Sequence, residues 1–282
     1  MKSTFKYIFL CLSSLSMSPS VLTAQAWTKS QGSGFLKLDY SSIQATDLFN
    51  ANGDVFPSRN LGSSIASFYG EYGITNKITA VAYVPFFANS SAGAFAAVGT
   101  TPALPSVSLS GFSDVDLGFR IALPIKDIAV SVNILFGLPT GTPVQADGLS
   151  TGDGEFNQML KIAVGTGKAR WWTQGAVGYN NRTKGYSSEF RYDFEFGYKF
   201  FNDRLLTILK INGVESLKNG TVAPTKTGLY SNDVVYAGIG PELLYFANAK
   251  KTIGISAKLG AALRAKNILA APSFSFGVFT QF

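Results

Sequence analysis

No histidine occurs anywhere in the 282 residues, which excludes Ser-His-Asp triads, imidazole bases and the usual zinc sites. Cysteine is nearly as scarce. Cys11 is the only one, and it lies too early for a lipoprotein-type cleavage site and inside a segment expected to be removed. The mature chain then has no thiol for disulfides, thiolate metal sites or covalent catalysis. Charged residues make up only 15 % of the chain, and no run of 18 apolar residues follows the amino terminus, so no transmembrane helix is expected. The amino terminus, MKSTFKYIFLCLSSLSMSPSVLTAQAW, has two lysines, an apolar stretch from Tyr7 to about Met17, and the small-residue pattern Ala24-Gln25-Ala26. This is the layout of a secretory signal peptide, too short to span a bilayer. Residues 1–26 are expected to be cleaved, leaving 27–282 as one unit.

Removal of Lys2 and Lys6 leaves 22 basic against 17 acidic residues, a net charge of +5. These charges are spread one or two per segment, with no clustered basic face, so no nucleic-acid partner is expected.

What the chain has in quantity is glycine (29), phenylalanine (23) and tyrosine (12). In residues 189–200, Phe190, Tyr192, Phe194, Phe196, Tyr198 and Phe200 alternate with Glu189, Arg191, Asp193, Glu195, Gly197 and Lys199. Alternate side chains of a strand point to opposite faces, so this segment separates an aromatic face from a charged one. A soluble sandwich would turn the aromatics inward, whereas an outer-membrane barrel would turn them to lipid. Alternation alone does not choose. Similar segments are expected at about 34–49, 61–74, 78–88, 111–123, 128–140, 156–164, 169–182, 187–200, 205–216, 231–246, 252–267 and 272–282. Most reach the ~9–11 residues that a tilted strand needs to cross a bilayer.

The connections alternate in kind. Tight ones lie near 75–77, 124–127, 165–168, 201–204 and 248–251. The others are mostly longer and rich in Gly, Pro, Ser and Asn, near 50–60, 89–110, 141–155 and 217–230, with short exceptions at 183–186 and 268–271. Short periplasmic turns alternating with longer extracellular loops are the habit of an even-stranded barrel with both termini in the periplasm. The expected fold is therefore all-β, an up-and-down antiparallel transmembrane barrel of about twelve strands in a bacterial outer membrane. By parity, Trp171, Tyr198, Phe200, Tyr245 and Phe282 fall on outward positions near the tight turns and form a candidate aromatic girdle.

Parity also assigns lumen-lining charges: Lys37, Asp39, Glu71, Asp114, Asp116, Arg120, Asp127, Lys161, Arg170, Glu189, Arg191, Asp193, Glu195, Lys199, Lys210, Glu242, Lys258 and Arg264. The signs are balanced, so no strong ion-selective field is expected. Such charges either line a hydrated solute path or pair to fill the interior. The loop motif TGDGEFNQ carries Asp153, Glu155 and Asn157 among glycines but lacks the ligand register of an EF-hand, and reads first as a solvated loop. No carboxylate pair stands out as an acid and base. No enzymatic activity, cofactor or metal is expected, and the partners would be membrane lipid and a small solute.

The runs GFSDVDLGFRIALPI, LFGLPTGTP, TGDGEFNQ and GYNNRTKGYSSEFRYDFEFGYKF, with the terminal strand ending in Phe282, resemble the outer-membrane β-barrel family associated with meta-pathway phenol degradation. That family is distantly like outer-membrane transporters of fatty acids and aromatic hydrocarbons. The resemblance implies uptake of small, hydrophobic or aromatic solutes, with Asp153, Glu155, Asn157, Asn181, Arg182, Glu189 and Arg191 holding loops and lumen in shape. The fatty-acid transporters carry an amino-terminal plug; here the short stretch from Trp27 to Gly34 is expected to leave no plug. A non-conducting barrel whose loops bind a partner or a surface is the other reading.

Overall fold

The computed structural model describes residues 25–95 and 104–282; most of the expected signal segment, with Cys11, lies outside the described residues. Among them the secondary structure is strands only: β1 (Gly34–Phe49), β2 (Val55–Thr75), β3 (Ile78–Ala92), β4 (Val107–Gly111), β5 (Val115–Leu123), β6 (Ala129–Leu138), β7 (Asn157–Gly167), β8 (Trp171–Arg182), β9 (Glu189–Phe200), β10 (Leu205–Ser216), β11 (Val235–Phe246), β12 (Ile253–Lys266), β13 (Ile268–Leu269) and β14 (Ser273–Gln281). Every pairing is antiparallel, and β1 pairs with β2 on one side and β14 on the other, which closes the sheet. Two places in the wall are each shared by two segments. β4 pairs with residues 88–92 of β3 and β5 with 78–83 of the same strand. β13 pairs with residues 48–49 of β1 and β14 with 35–43. The wall is therefore a closed barrel of twelve staves, which leaves no unpaired edge to present to lipid.

The exposed sides of the strands carry apolar residues, among them Phe119, Leu160, Ile162, Val177, Phe194, Phe196 and Phe276. Water would leave so continuous an apolar band uncovered, and a bilayer covers it. The start of β1 and the end of the chain after β14 meet at the tight-turn rim, where the Gly34 N–H donates to the Phe282 carbonyl at 2.8 Å.

Strand boundaries differ from the expected ones where side chains reorganise the backbone. β2 begins at Val55, so the expected loop at 50–60 shrinks to a turn. There the Asn50 side-chain oxygen accepts from the N–H groups of Asn52, Gly53 and Asp54, and Gly53 takes a φ of 95° that favours glycine. A register shift in the β11–β12 pairing, at Ala237/Gly238, sets both Leu263 and Arg264 on the exposed side. An extra residue in one strand has this effect, because a one-residue slip exchanges the faces.

Candidate functional site: the lumen and its two closures

The middle of the lumen is built from charges that reach across it. Lys37 on β1 bridges Asp39 (2.9 Å) and Glu242 on β11 (3.0 Å), and Lys210 on β10 bridges Glu242 (2.6 Å) and Glu195 on β9 (3.3 Å). Lys161 pairs with Asp193 at 2.6 Å. Each of these groups alternates with a lipid-facing neighbour, which is why strand parity places it inside. All of these except Asp193 border a cavity of about 570 Å³ that also touches Asp116, Lys258, Tyr69, Tyr83, Ile65 and Leu135.

At the tight-turn end a non-strand segment enters the lumen, with a hollow of about 620 Å³ beside it. Residues 25–33, which precede β1, run inward from the rim, so the expectation of no plug is corrected. The segment is held by buried donors and acceptors of the wall. Arg120 donates through Nη1 to the Trp27 carbonyl (2.9 Å), through Nη2 to Glu71 (3.0 Å) and through Nε to Asn133 (3.0 Å). Tyr69 donates its hydroxyl to the same Glu71 at 2.5 Å, and the Lys29 ammonium lies 3.5 Å from it. The Lys29 N–H donates to Thr79, and the Gln31 N–H to Asn76. Beside this network lies an apolar cluster inside the barrel: Phe35, Trp172, Leu206, Ile208, Leu244, Phe246 and Phe279, with Trp27 and Tyr69 packed against it. Gly197 has no side chain because the Trp172 ring occupies that space.

At the other end, loops fold over the rim. The Arg182 guanidinium at the end of β8 donates to Asp153 (2.6 Å), Glu155 (2.7 Å) and Glu189 (3.1 Å), and stacks 4.4 Å from the Tyr186 ring. Asp114, between β4 and β5, accepts from the N–H groups of Gly141 (2.9 Å) and Asp153 (2.8 Å). Asn157 accepts from the Asn180 amide, which also donates to Glu189; Glu189 in turn takes both the Nε and Nη2 donors of Arg191. Burial pushes the Asp114 carboxyl up to about 6, against the two backbone donors that lower it. Burial likewise raises Glu155, with Arg182 and the Thr183 N–H opposing it. The loop motif is thus a clamp of paired charges. Its acids are spent on Arg182 and backbone amides, an arrangement unlike an open cage of oxygens around a hard cation. An apolar group caps the same end, with Leu149 and Leu229 from the loops packed on Ala45, Leu48, Leu61 and Leu269 of the wall.

The lumen-lining expectation divides as follows. Glu71, Arg120, Lys161, Glu189, Glu195, Lys199 and Glu242 are buried; Lys37, Asp39, Asp114, Asp116, Arg191, Asp193, Lys210 and Lys258 are partly buried. Asp127, Arg170 and Arg264 are not in the lumen; Asp127 stands exposed in the turn between β5 and β6. Arg170 stands exposed in the turn between β7 and β8, where strand parity no longer applies. Arg264 is turned out by the register shift and pairs with Glu215 at 3.0 Å on an exposed face. Of the girdle residues, Phe200, Tyr245 and Phe282 are exposed, Trp171 and Tyr198 partly so; Trp171 sits opposite Tyr198 across the β8–β9 pair.

The segment 25–33 and the apolar cluster were not foreseen. A signal for the cluster exists in the sequence: near the tight turns alternation gives way to adjacent apolar pairs, Phe35-Leu36, Trp171-Trp172, Leu205-Leu206 and Tyr245-Phe246. Where both faces of a strand are apolar, the inner one needs a dry partner.

The family model for the MetA-pathway of phenol degradation matches residues 59–277. The chain belongs to this family. Among solved structures, an outer membrane channel from Pseudomonas putida F1 is similar over 93 % of this chain and 100 % of its own, at 13 % identity and a TM-score of 0.67. The NanC porin is similar over 88 % of this chain and 100 % of its own, at 9 % identity and a TM-score of 0.51. At these identities the likeness establishes a shared outer-membrane barrel fold. No curated protein sequence matches the chain.

Proposed function

We propose that the protein is an outer-membrane channel for small solutes, with the tight turns and both termini on the periplasmic side and Trp171, Tyr198, Phe200, Tyr245 and Phe282 anchoring the wall at that interface. The observation that carries this reading is the 570 Å³ cavity in mid-lumen, enclosed along the barrel axis by a short non-strand segment and by loops. The sheet itself is continuous around the axis, and among the described residues the path is crossed by the mid-lumen ion pairs, the apolar cluster and these two closures. The cavity lining mixes Tyr69, Tyr83, Ile65 and Leu135 with Lys37, Lys210 and Asp39. It suits a solute with a small ring and one polar or charged group, in keeping with the phenol-degradation family. The balance of acids and bases argues against a strongly ion-selective pore.

The buried ion pairs favour a second reading, a non-conducting barrel whose interior charges serve as packing and whose loops meet a partner. Uptake into proteoliposomes separates the two. A small aromatic carboxylate, charged at neutral pH and slow to cross lipid, enters faster than into protein-free vesicles if the first reading holds. Equal rates support the second.

A further inference from the structure

Both sides of one peptide unit in the amino-terminal segment are captured by buried side chains. The Gln25 carbonyl accepts from Ser131 Oγ at 2.6 Å and from Asn133 Nδ2 at 3.3 Å, and the Ala26 N–H donates to Gln174 Oε1 at 2.9 Å. Gln174 in turn donates to Glu195 at 2.7 Å, which ties the segment to the mid-lumen charges. Ala26 is buried among Ala163 and Ala176, and a side chain at Gly165 would run into both Ala26 and the Trp27 ring. The wall is shaped around this dipeptide.

Cleavage after Ala26, the boundary that the A-x-A pattern suggests, would remove the Gln25–Ala26 peptide unit whole. Ser131, Asn133 and Gln174 are all buried beneath the segment, and each would lose one hydrogen-bond partner while Asn133 still donates to Ser131 and Gln174 to Glu195, a cost in stability. The small residues Ala163, Gly165 and Ala176 would line a void. We infer that the signal peptide is cut after Ala24, so that Gln25 is the first residue of the mature chain and its α-amino group stands at the wall of the lumen cavity. Leu22-Thr23-Ala24 supplies the small residue directly before the bond and forgoes the second one. In the cut, water adds its hydroxyl to the Ala24 carbonyl carbon and the new amine at Gln25 takes the proton, so nothing beyond water is consumed.

The direction of the segment adds a second argument. Its Ser33 end is at the rim beside Gly73, and its Gln25 end borders the same cavity as Lys210 and Glu242. Cleavage after Ala24 leaves the new amino group of Gln25 beside these charges, whereas cleavage after Ala26 leaves that end of the segment short of them. This inference is independent of whether the lumen conducts.

The test is the amino terminus of the protein extracted from outer membranes of a producing Gram-negative cell, read by intact mass and amino-terminal peptide sequencing. The expected chain is Gln25–Phe282, or the same chain lighter by one ammonia where the terminal glutamine has cyclised. A chain beginning at Trp27, or upstream of Gln25, overturns the inference. A variant lacking Gln25 and Ala26, so that processing yields a Trp27 start, should lose its heat-modified gel mobility several degrees earlier than the parent. An unchanged transition would show that these contacts are idle and would overturn it as well.

Discussion

At the tight-turn end the lumen is obstructed by residues 25–33, and at the other end by loops folded back over the rim; the two closures differ in what holds them and in what moving them would cost. The loops are continuous with a strand at each end, and Arg182 pins Asp153, Glu155 and Glu189 together. With the signal peptide removed as proposed, the segment 25–33 is tethered at one end only, where it joins β1. Its grip is distributed over backbone groups met by Arg120, Gln174, Ser131 and Thr79. A one-ended segment held by many modest hydrogen bonds can leave as a unit without breaking the wall, since each contributes only ~0.5–1.5 kcal/mol net. The loop end is the lid of a box, whereas the tight-turn end is a stopper.

The most severe way to break the comparison is to remove a cation from either closure. Arg182→Leu leaves buried carboxylates uncompensated, and breaking a buried pair costs ~3–5 kcal/mol; heat-modifiable gel mobility should report a large loss of stability. Arg120→Leu takes from Glu71 its guanidinium partner, leaving it to Lys29 and the Tyr69 hydroxyl, and also frees the Trp27 carbonyl. It should therefore both destabilise the fold and raise bilayer conductance, which Arg182→Leu should not do.

A somewhat smaller effect tests the wall between the two ends. Phe194→Arg on the exposed face of β9 should cost ~2–4 kcal/mol, the penalty for a basic residue at the bilayer midplane, measured by urea titration in lipid vesicles. Asn212, on the neighbouring strand and opposite Asp193, should accept serine with little change.

The two ends should also respond differently to pH. The Asp114 carboxyl titrates at about 6 in the folded protein against 3.8 for the free group, and Glu155 is shifted the same way. Their folded pKa values are raised, so the contribution is fully present below the free value and is lost as pH rises through about 6. Protease cleavage of the 139–156 loop should be slower at pH 5 than at pH 8, with Asp114→Asn removing most of the difference. The smallest effect is expected at Arg264. Its pair with Glu215 is exposed, and Arg264→Ala should change stability by ~0–1 kcal/mol in the same gel assay. A larger loss would mean that Arg264 reaches the lumen after all.

The outer face of this molecule was legible in the sequence and much of the inner one was not. Lipid imposes one requirement on every outward side chain, so Phe190, Phe194 and Phe196 alternate strictly with their charged neighbours, and the twelve staves follow from that rhythm. The interior has no such uniform solvent. Glu71, Arg120, Lys210 and Glu242 are visible by parity, but which partner each meets depends on strands far apart in the chain. Trp172 and Phe279 were hidden because an apolar inward residue in a barrel reads as a lapse in the pattern unless a dry plug is suspected. The segment 25–33 has no periodicity at all. Arg264 was misplaced by a single extra residue that alternation cannot see.

On the proposed function, the lumen is a solute path stopped at one end by residues 25–33. Single-channel recording in planar bilayers tests it by comparing the intact protein with a folded variant lacking residues 25–32. The predicted result is a larger and steadier conductance in the shortened protein, with heat-modifiable mobility showing that the barrel remains closed. Equal, near-zero conductance in both, with the shortened barrel still folded, would contradict the claim and leave a barrel whose interior serves only to hold its shape.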